Sequence, residues 1–205
     1  MATAKLRALL DAHPDTFARE AGITLTDKPS PLFRLLVLTK LLSANLDARL
    51  GLRTAHAIGR AGMTTAAKLA DAGQDARWQV LSDAKYLRKA QTARQLGQLA
   101  EEVTDRWGGD LRTLRTQAGG DVDAVRDAVV AFTGIGPLGA DIFLREVQAV
   151  WSDVRPFADE RVLDLARARG LPHTVEGLAR AAGTDDLSHV GAALILADMQ
   201  DRQDR

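Results

Sequence analysis

The stretch Phe132-Thr133-Gly134-Ile135-Gly136-Pro137-Leu138 sets two glycines around one apolar residue and follows them with a proline suited to the first turn of a helix. Upstream, Val122, Val125, Val129 and Phe132 recur at helical spacing, and downstream a helical pattern runs from Leu138 to Trp151. The segment therefore reads as helix, tight turn, helix. Such a turn can present consecutive backbone N–H groups outward. Together with the positive end of the Leu138 helix they make an anion site that suits a phosphate and reads no base sequence. The turn taken alone is equally an ordinary helix–helix connection.

Outward from this stretch, apolar residues keep the helical period almost everywhere and no segment sustains strand-like alternation, so the fold is expected to be all-α. Ser30-Pro31 has the residues of an N-cap and a first-turn proline, and opens the nearly all-apolar run Leu32 to Leu42, which must be central. Further helices are expected at about Ala48 to Arg60, Thr64 to Ala72, Ala76 to Ser82, Tyr86 to Trp107, Leu111 to Gln117, Val122 to Phe132, Leu138 to Trp151, Glu160 to Arg169, Val175 to Ala182 and Asp186 to Met199. In the Tyr86 helix, Leu96, Leu99, Ala100, Val103 and Trp107 form a core stripe, and Gly108-Gly109 stops it. Only the polar tail from Gln200 to Arg205 looks disordered.

The chain's 205 residues, 46% of them hydrophobic, suffice for one sizeable domain or two small lobes. It has no cysteine, which excludes disulfides and a cysteine-held iron–sulfur cluster. His13, His56, His173 and His189 never approach metal-ligand spacing. No apolar stretch is long enough for a membrane span or a signal peptide, and the reading is cytoplasmic, with no membrane partner. Basic and acidic residues both number 27, so net charge gives no support for nucleic acid and any phosphate-binding surface must be local.

In order along the chain stand Ser30-Pro31; Leu41-Leu42-Ser43-Ala44-Asn45 with Asp47; Tyr86 with Lys89-Ala90; Gly134-Ile135-Gly136-Pro137 with Ala140; and Ala158-Asp159. This succession resembles the landmarks of the helix-hairpin-helix-GPD superfamily, the endonuclease III and alkylpurine glycosylase group, over about residues 29 to 165. The resemblance implies a two-lobed fold, with residues 30–150 as a central lobe and 1–29 plus 151–205 as a second. It implies a base-excision glycosylase acting as a monomer on double-stranded DNA, near the bacterial nucleoid, that flips a damaged base out of the duplex. The alternative is a catalytically inactive DNA-binding protein on the same fold.

Asp159 heads the Glu160 helix and reads as an N-cap; by the resemblance it is also the catalytic carboxylate that stabilises an oxocarbenium-like sugar or activates water. Leu138 stands where bifunctional relatives carry the lysine that forms a Schiff base, which implies hydrolysis by water without lysine-dependent lyase activity. Lys40 and Lys85 could supply an amine but read as snorkelling surface lysines. By the same resemblance Asn45 fills the gap left by the flipped base and Lys85 occupies the wedge position, with an Asx cap and a solvated charge as the plainer readings. Thr133, Gly134, Ile135 and Gly136 are the expected phosphate grip. Arg88, Lys89 and Arg94 crowd a helix start, where the dipole disfavours cations, so phosphate contact and ordinary charge scatter are both open there. No cofactor is implied beyond a Na⁺ or K⁺ ion on the backbone of Thr133, Ile135 and Pro137, as in relatives. Trp78, Trp107 and Trp151 read as core or lobe-interface residues, with stacking of one of them on an extruded base as the alternative.

Overall fold

A computed structural model describes residues 2–44 and 46–203, and among them every regular element is a helix. In chain order these are α1 (Ala2–Ala12), α2 (Phe17–Glu20), α3 (Pro29–Leu42), α4 (Ala48–Arg60), α5 (Ala66–Asp71), α6 (Gly73–Asp83) and α7 (Lys89–Trp107). They continue as α8 (Leu111–Ala118), α9 (Val122–Val130), α10 (Pro137–Val147), a 3₁₀ turn at Ser152–Val154, α11 (Glu160–Ala168), α12 (Val175–Ala182) and α13 (Ser188–Gln203). No helix among the described residues is long and apolar enough to cross a membrane.

The chain divides into two compact units, Ala18–Phe143 and Met1–Phe17 with Leu144–Arg205. Residues 18–29 thus group with the central helices and 144–150 with the terminal segments.

In the larger unit α3 is the core element. Leu32, Phe33, Leu35, Leu36, Val37, Leu38 and Leu41 are all buried, and α4 packs along it. Each such side chain contributes about 1.5–3 kcal/mol through burial. The second stack sets α7 on α5 and α6, and Ala93, Leu96, Leu99, Ala100 and Val103 of α7 are buried. Side-chain caps start most of the shorter helices: Asp47 accepts from the Arg49 and Leu50 amides, Thr65 from Lys68, Asp110 from Arg112, and Asp121 from Asp123 and Ala124. In the smaller unit α1 packs on α12 and α13, and α11 on α13. There a ring nitrogen of His189 lies 2.7 Å from the carbonyl oxygen of His13.

Several local expectations are corrected. Helix α3 begins at Pro29, with Lys28 as its flanking residue, so Ser30 lies inside the first turn and caps nothing. A second proline is tolerated there because first-turn amides have no intrahelical acceptor. The Ser30 hydroxyl instead donates to the Thr64 carbonyl at 2.9 Å. The long helix expected from Tyr86 begins at Lys89, because the chain before it closes off α6. The last helix starts at Ser188, its amide bonded to the Asp186 carboxylate at 3.0 Å, and runs through the polar tail to Gln203. The N-terminal helix α1 had no counterpart among the expected elements.

Candidate nucleic-acid interface

Between α9 and α10 the chain turns in six residues, and their backbone groups divide into two sets. Those facing the protein are satisfied. The Thr133 amide donates to Glu102 Oε2 at 2.8 Å, the Thr133 hydroxyl donates to Glu102 Oε1, and the Ile135 amide donates to the Phe132 carbonyl at 3.0 Å. Phe132 and Ile135 anchor the turn in the core at 2% and 4% exposure. An Arg126–Asp141 ion pair at 2.8 Å ties α9 to α10. By contrast the amides of Gly134, Gly136, Leu138 and Gly139 have no protein acceptor among the described residues.

The two glycines of the turn are required for different reasons. Gly134 has φ +74°, and a Cβ there would lie 2.5 Å from Lys40 Cε. Both the backbone conformation and the space exclude a side chain. Gly136 has an ordinary φ, and nothing lies within 4 Å of where its Cβ would be. Nothing inside the protein demands glycine at 136, so its use there fits the approach of something from outside. Leu138, beside it, is 47% exposed.

Lys40 overturns its expected place on the surface. It projects from the last turn of α3, is 6% exposed, and has no ion pair or hydrogen bond from its ammonium among the described residues. It lines a pocket of about 180 Å³ with Tyr86, Arg88, Gln95 and Gly134, and no carboxylate among the described residues lines that pocket. Burial, reinforced by the nearby charge of Arg88, pulls the Lys40 ammonium below the usual lysine range. Burial likewise pushes the Tyr86 phenol up.

The segment before α7 carries the other expected contacts. Lys85 sits at φ +59° where α6 ends, with its amide on Ser82 O at 2.9 Å and the Tyr86 amide on Leu81 O at 2.8 Å. This double closure normally has glycine at that position, so Lys85 holds a conformation costly for a residue with a Cβ. Lys89 is engaged within the protein: its ammonium lies 5.4 Å from the Trp78 ring centroid and 3.3 Å from Ser82 Oγ. Trp78 itself is 39% exposed and is not a core residue, unlike Trp107 and Trp151. Arg88 and Arg94 are exposed. Leu87, which drew no attention in the sequence, is an apolar side chain 72% exposed between Tyr86 and Arg88. Asn45 lies outside the described residues.

Asp159 belongs to the other unit and is embedded in it. It caps α11, its Oδ1 accepting from the Val162 amide at 3.1 Å, while Oδ2 accepts from Arg145 Nε at 2.8 Å and also from Arg145 Nη2. The two side chains are 8% and 3% exposed. Gly191 makes room for Arg145: a Cβ there would lie 2.8 Å from Arg145 Cδ. Gln148 braces the same region, donating to the Phe157 carbonyl at 2.9 Å and accepting from the Leu187 amide at 3.1 Å. Arg145 was not singled out in the sequence. Its only signal was a charge inside the apolar run Ile142-Phe143-Leu144-Arg145-Glu146-Val147.

For a monovalent cation on the turn, the carbonyls of Thr133 and Ile135 accept no hydrogen bond among the described residues, which suits such an ion. The Lys40 ammonium already brings positive charge to Gly134, which opposes a second cation there. Among the described residues no three His, Asp or Glu side chains are grouped to hold a metal. No protein-family model, curated protein or solved structure matches this chain.

Proposed function

We propose that this chain is a helix-hairpin-helix DNA glycosylase: it binds duplex DNA through the α9–α10 turn and hydrolyses the N-glycosidic bond of a damaged base. One observation carries the DNA half of this reading. Four amides of the turn and the first turn of α10, without acceptors among the described residues, stand beside a basic pocket that no described carboxylate lines. Amides at the positive end of a helix bind phosphate oxygens without reading sequence. Gly134, Gly136, Leu138 and Gly139 supply the amides of the grip, with Arg88 beside it, whereas Thr133 and Ile135, whose amides bond to Glu102 and Phe132, hold the turn in place and do not donate outward. At the strand-separating position, exposed Leu87 is a better wedge than Lys85, because an apolar side chain gains by stacking between bases and an ammonium does not. The chemical half rests on the order of sequence landmarks and on Asp159. With Leu138 at the lysine position, the nucleophile is water and the sugar–phosphate chain stays intact.

The Arg145–Asp159 pair favours a second reading, a DNA-binding protein without chemistry. A carboxylate stabilises a cationic sugar only to the extent that its charge is not already spent, and here both oxygens are engaged. The test is single-turnover base release from duplexes carrying oxidised, deaminated and alkylated bases, with and without alkali, for wild type and Asp159→Asn. The glycosylase reading expects release by wild type alone, with strand breaks only after alkali. Silence across the panel alongside duplex binding selects the second reading. Because Asp159→Asn also unpairs Arg145, its folding and duplex affinity are measured in the same experiment.

A further inference from the structure

A buried ammonium without a counter-ion is costly unless something supplies the missing charge. Lys40 approaches that position: the residue is 6% exposed, its ammonium reaches the pocket it lines, and it has neither a carboxylate nor a hydrogen-bond acceptor among the described residues. It is held against Gly134 so closely that a Cβ there would lie 3.0 Å from its Nζ. The pocket it lines adds a second cation, Arg88, and the neutral side-chain amides of Gln91 and Gln95. The Gly134 N–H is also without a protein acceptor. Donors and positive charge therefore converge on a pocket of about 180 Å³ with no negative group among the described residues that line it.

We propose that this pocket is an anion site for a single phosphate group, with Lys40 and Arg88 neutralising its charge and the Gln95 and Gly134 amides orienting its oxygens. It is built from α3, the start of α7 and Gly134, and shares the Gly134 amide with the set at the head of α10. The inference does not depend on base excision. The phosphate belongs either to a bound DNA strand or to a small phosphate-bearing molecule. Lowering of the Lys40 ammonium by burial agrees with a site whose charge is completed by its ligand.

The test is a titration of the thermal midpoint with inorganic phosphate against chloride at constant ionic strength, for wild type, Lys40→Met and Arg88→Ala. Wild type is expected to show a saturable rise. The apparent affinity falls at least tenfold in Lys40→Met and several-fold in Arg88→Ala. Without phosphate, Lys40→Met is expected to melt no lower than wild type, since it exchanges an unpaired buried cation for an apolar chain of similar length. If Lys40→Met does not fold, Arg88→Ala, an exposed position, carries the comparison. No saturable effect in wild type, or the same effect in both variants, overturns the proposal. Displacement of a labelled duplex by phosphate, at the midpoint of the thermal titration, assigns the pocket to a strand phosphate. Saturation without displacement assigns it to a free phosphate compound, and leaves the anion site standing while removing it from the DNA surface.

Discussion

Arg145 and Lys40 are both nearly inaccessible, at 3% and 6% exposure, yet their surroundings differ. Arg145 lies against Asp159 in a pair closed on all sides by Gly191, α11 and the capped helix start. Arg77, a third buried cation, is likewise satisfied, donating to the carbonyls of Ala93, Leu69 and Ala70. Lys40 has no such arrangement and faces a pocket beside unsatisfied amides. Where the protein needs a buried charge for its own architecture it supplies the partner from its own chain. Lys40, a buried cation with no partner among the described residues, lies next to the turn read as a phosphate grip. Compensated charge marks framework, and uncompensated charge marks a surface that awaits a ligand.

The largest effect should come from breaking the compensated side. Asp159→Asn leaves the Arg145 guanidinium buried without its counter-charge, and denaturant unfolding should show a loss of about 3–5 kcal/mol. A loss under about 1 kcal/mol would mean that the pair is not truly desolvated and that Asp159 is free for chemistry.

Next come the two glycines of the turn. Gly134→Ala must hold φ +74° and displace Lys40, and should cost about 1–3 kcal/mol. Gly136→Ala meets open space and should change stability by less than about 0.5 kcal/mol while weakening duplex binding. Equal destabilisation by the two would remove the distinction between an inward and an outward glycine.

The uncompensated lysine should also appear in the pH dependence of stability. Its folded-state value is lowered, so the unfolded chain binds more protons as pH approaches the ordinary lysine value of about 10.4. The ammonium therefore penalises folding below its folded-state value, and the penalty is relieved as pH rises from there. Tyr86, whose phenol is raised, acts in the opposite sense above its ordinary value of about 10. Wild type should gain stability relative to Lys40→Met as pH approaches 10, and a pH-independent difference contradicts the burial of an unpaired charge. The smallest effect is expected at Lys85, where Lys85→Gly relieves φ +59° and should add up to about 1 kcal/mol, read as a higher denaturation midpoint.

The helical fold and the turn were legible because they rest on local chemistry. The spacing of Val125, Val129 and Phe132, the cap residue Asp159, and the Gly-Ile-Gly-Pro order each act within a few residues. Lys40 and Arg145 were harder, since a charge on an apolar helix normally snorkels to water. Their neighbours held the clue. Lys40 stands one turn from Leu36 and Val37 in a run buried on every side, so its stem had no route to solvent. What completes each charge, Asp159 for one and nothing for the other, depends on contacts 14 and more residues apart and was not readable from spacing.

The most direct measurement is duplex-DNA affinity as a function of salt for wild type and Gly136→Ala, with folding verified for both. An outward-facing phosphate grip predicts that log affinity of wild type falls linearly with log salt, by about 0.9 for each phosphate neutralised. Gly136→Ala should bind several-fold more weakly at every salt concentration while unfolding at the same midpoint. Absent or salt-insensitive binding by wild type, or identical affinity in the variant, contradicts a phosphate grip at this turn.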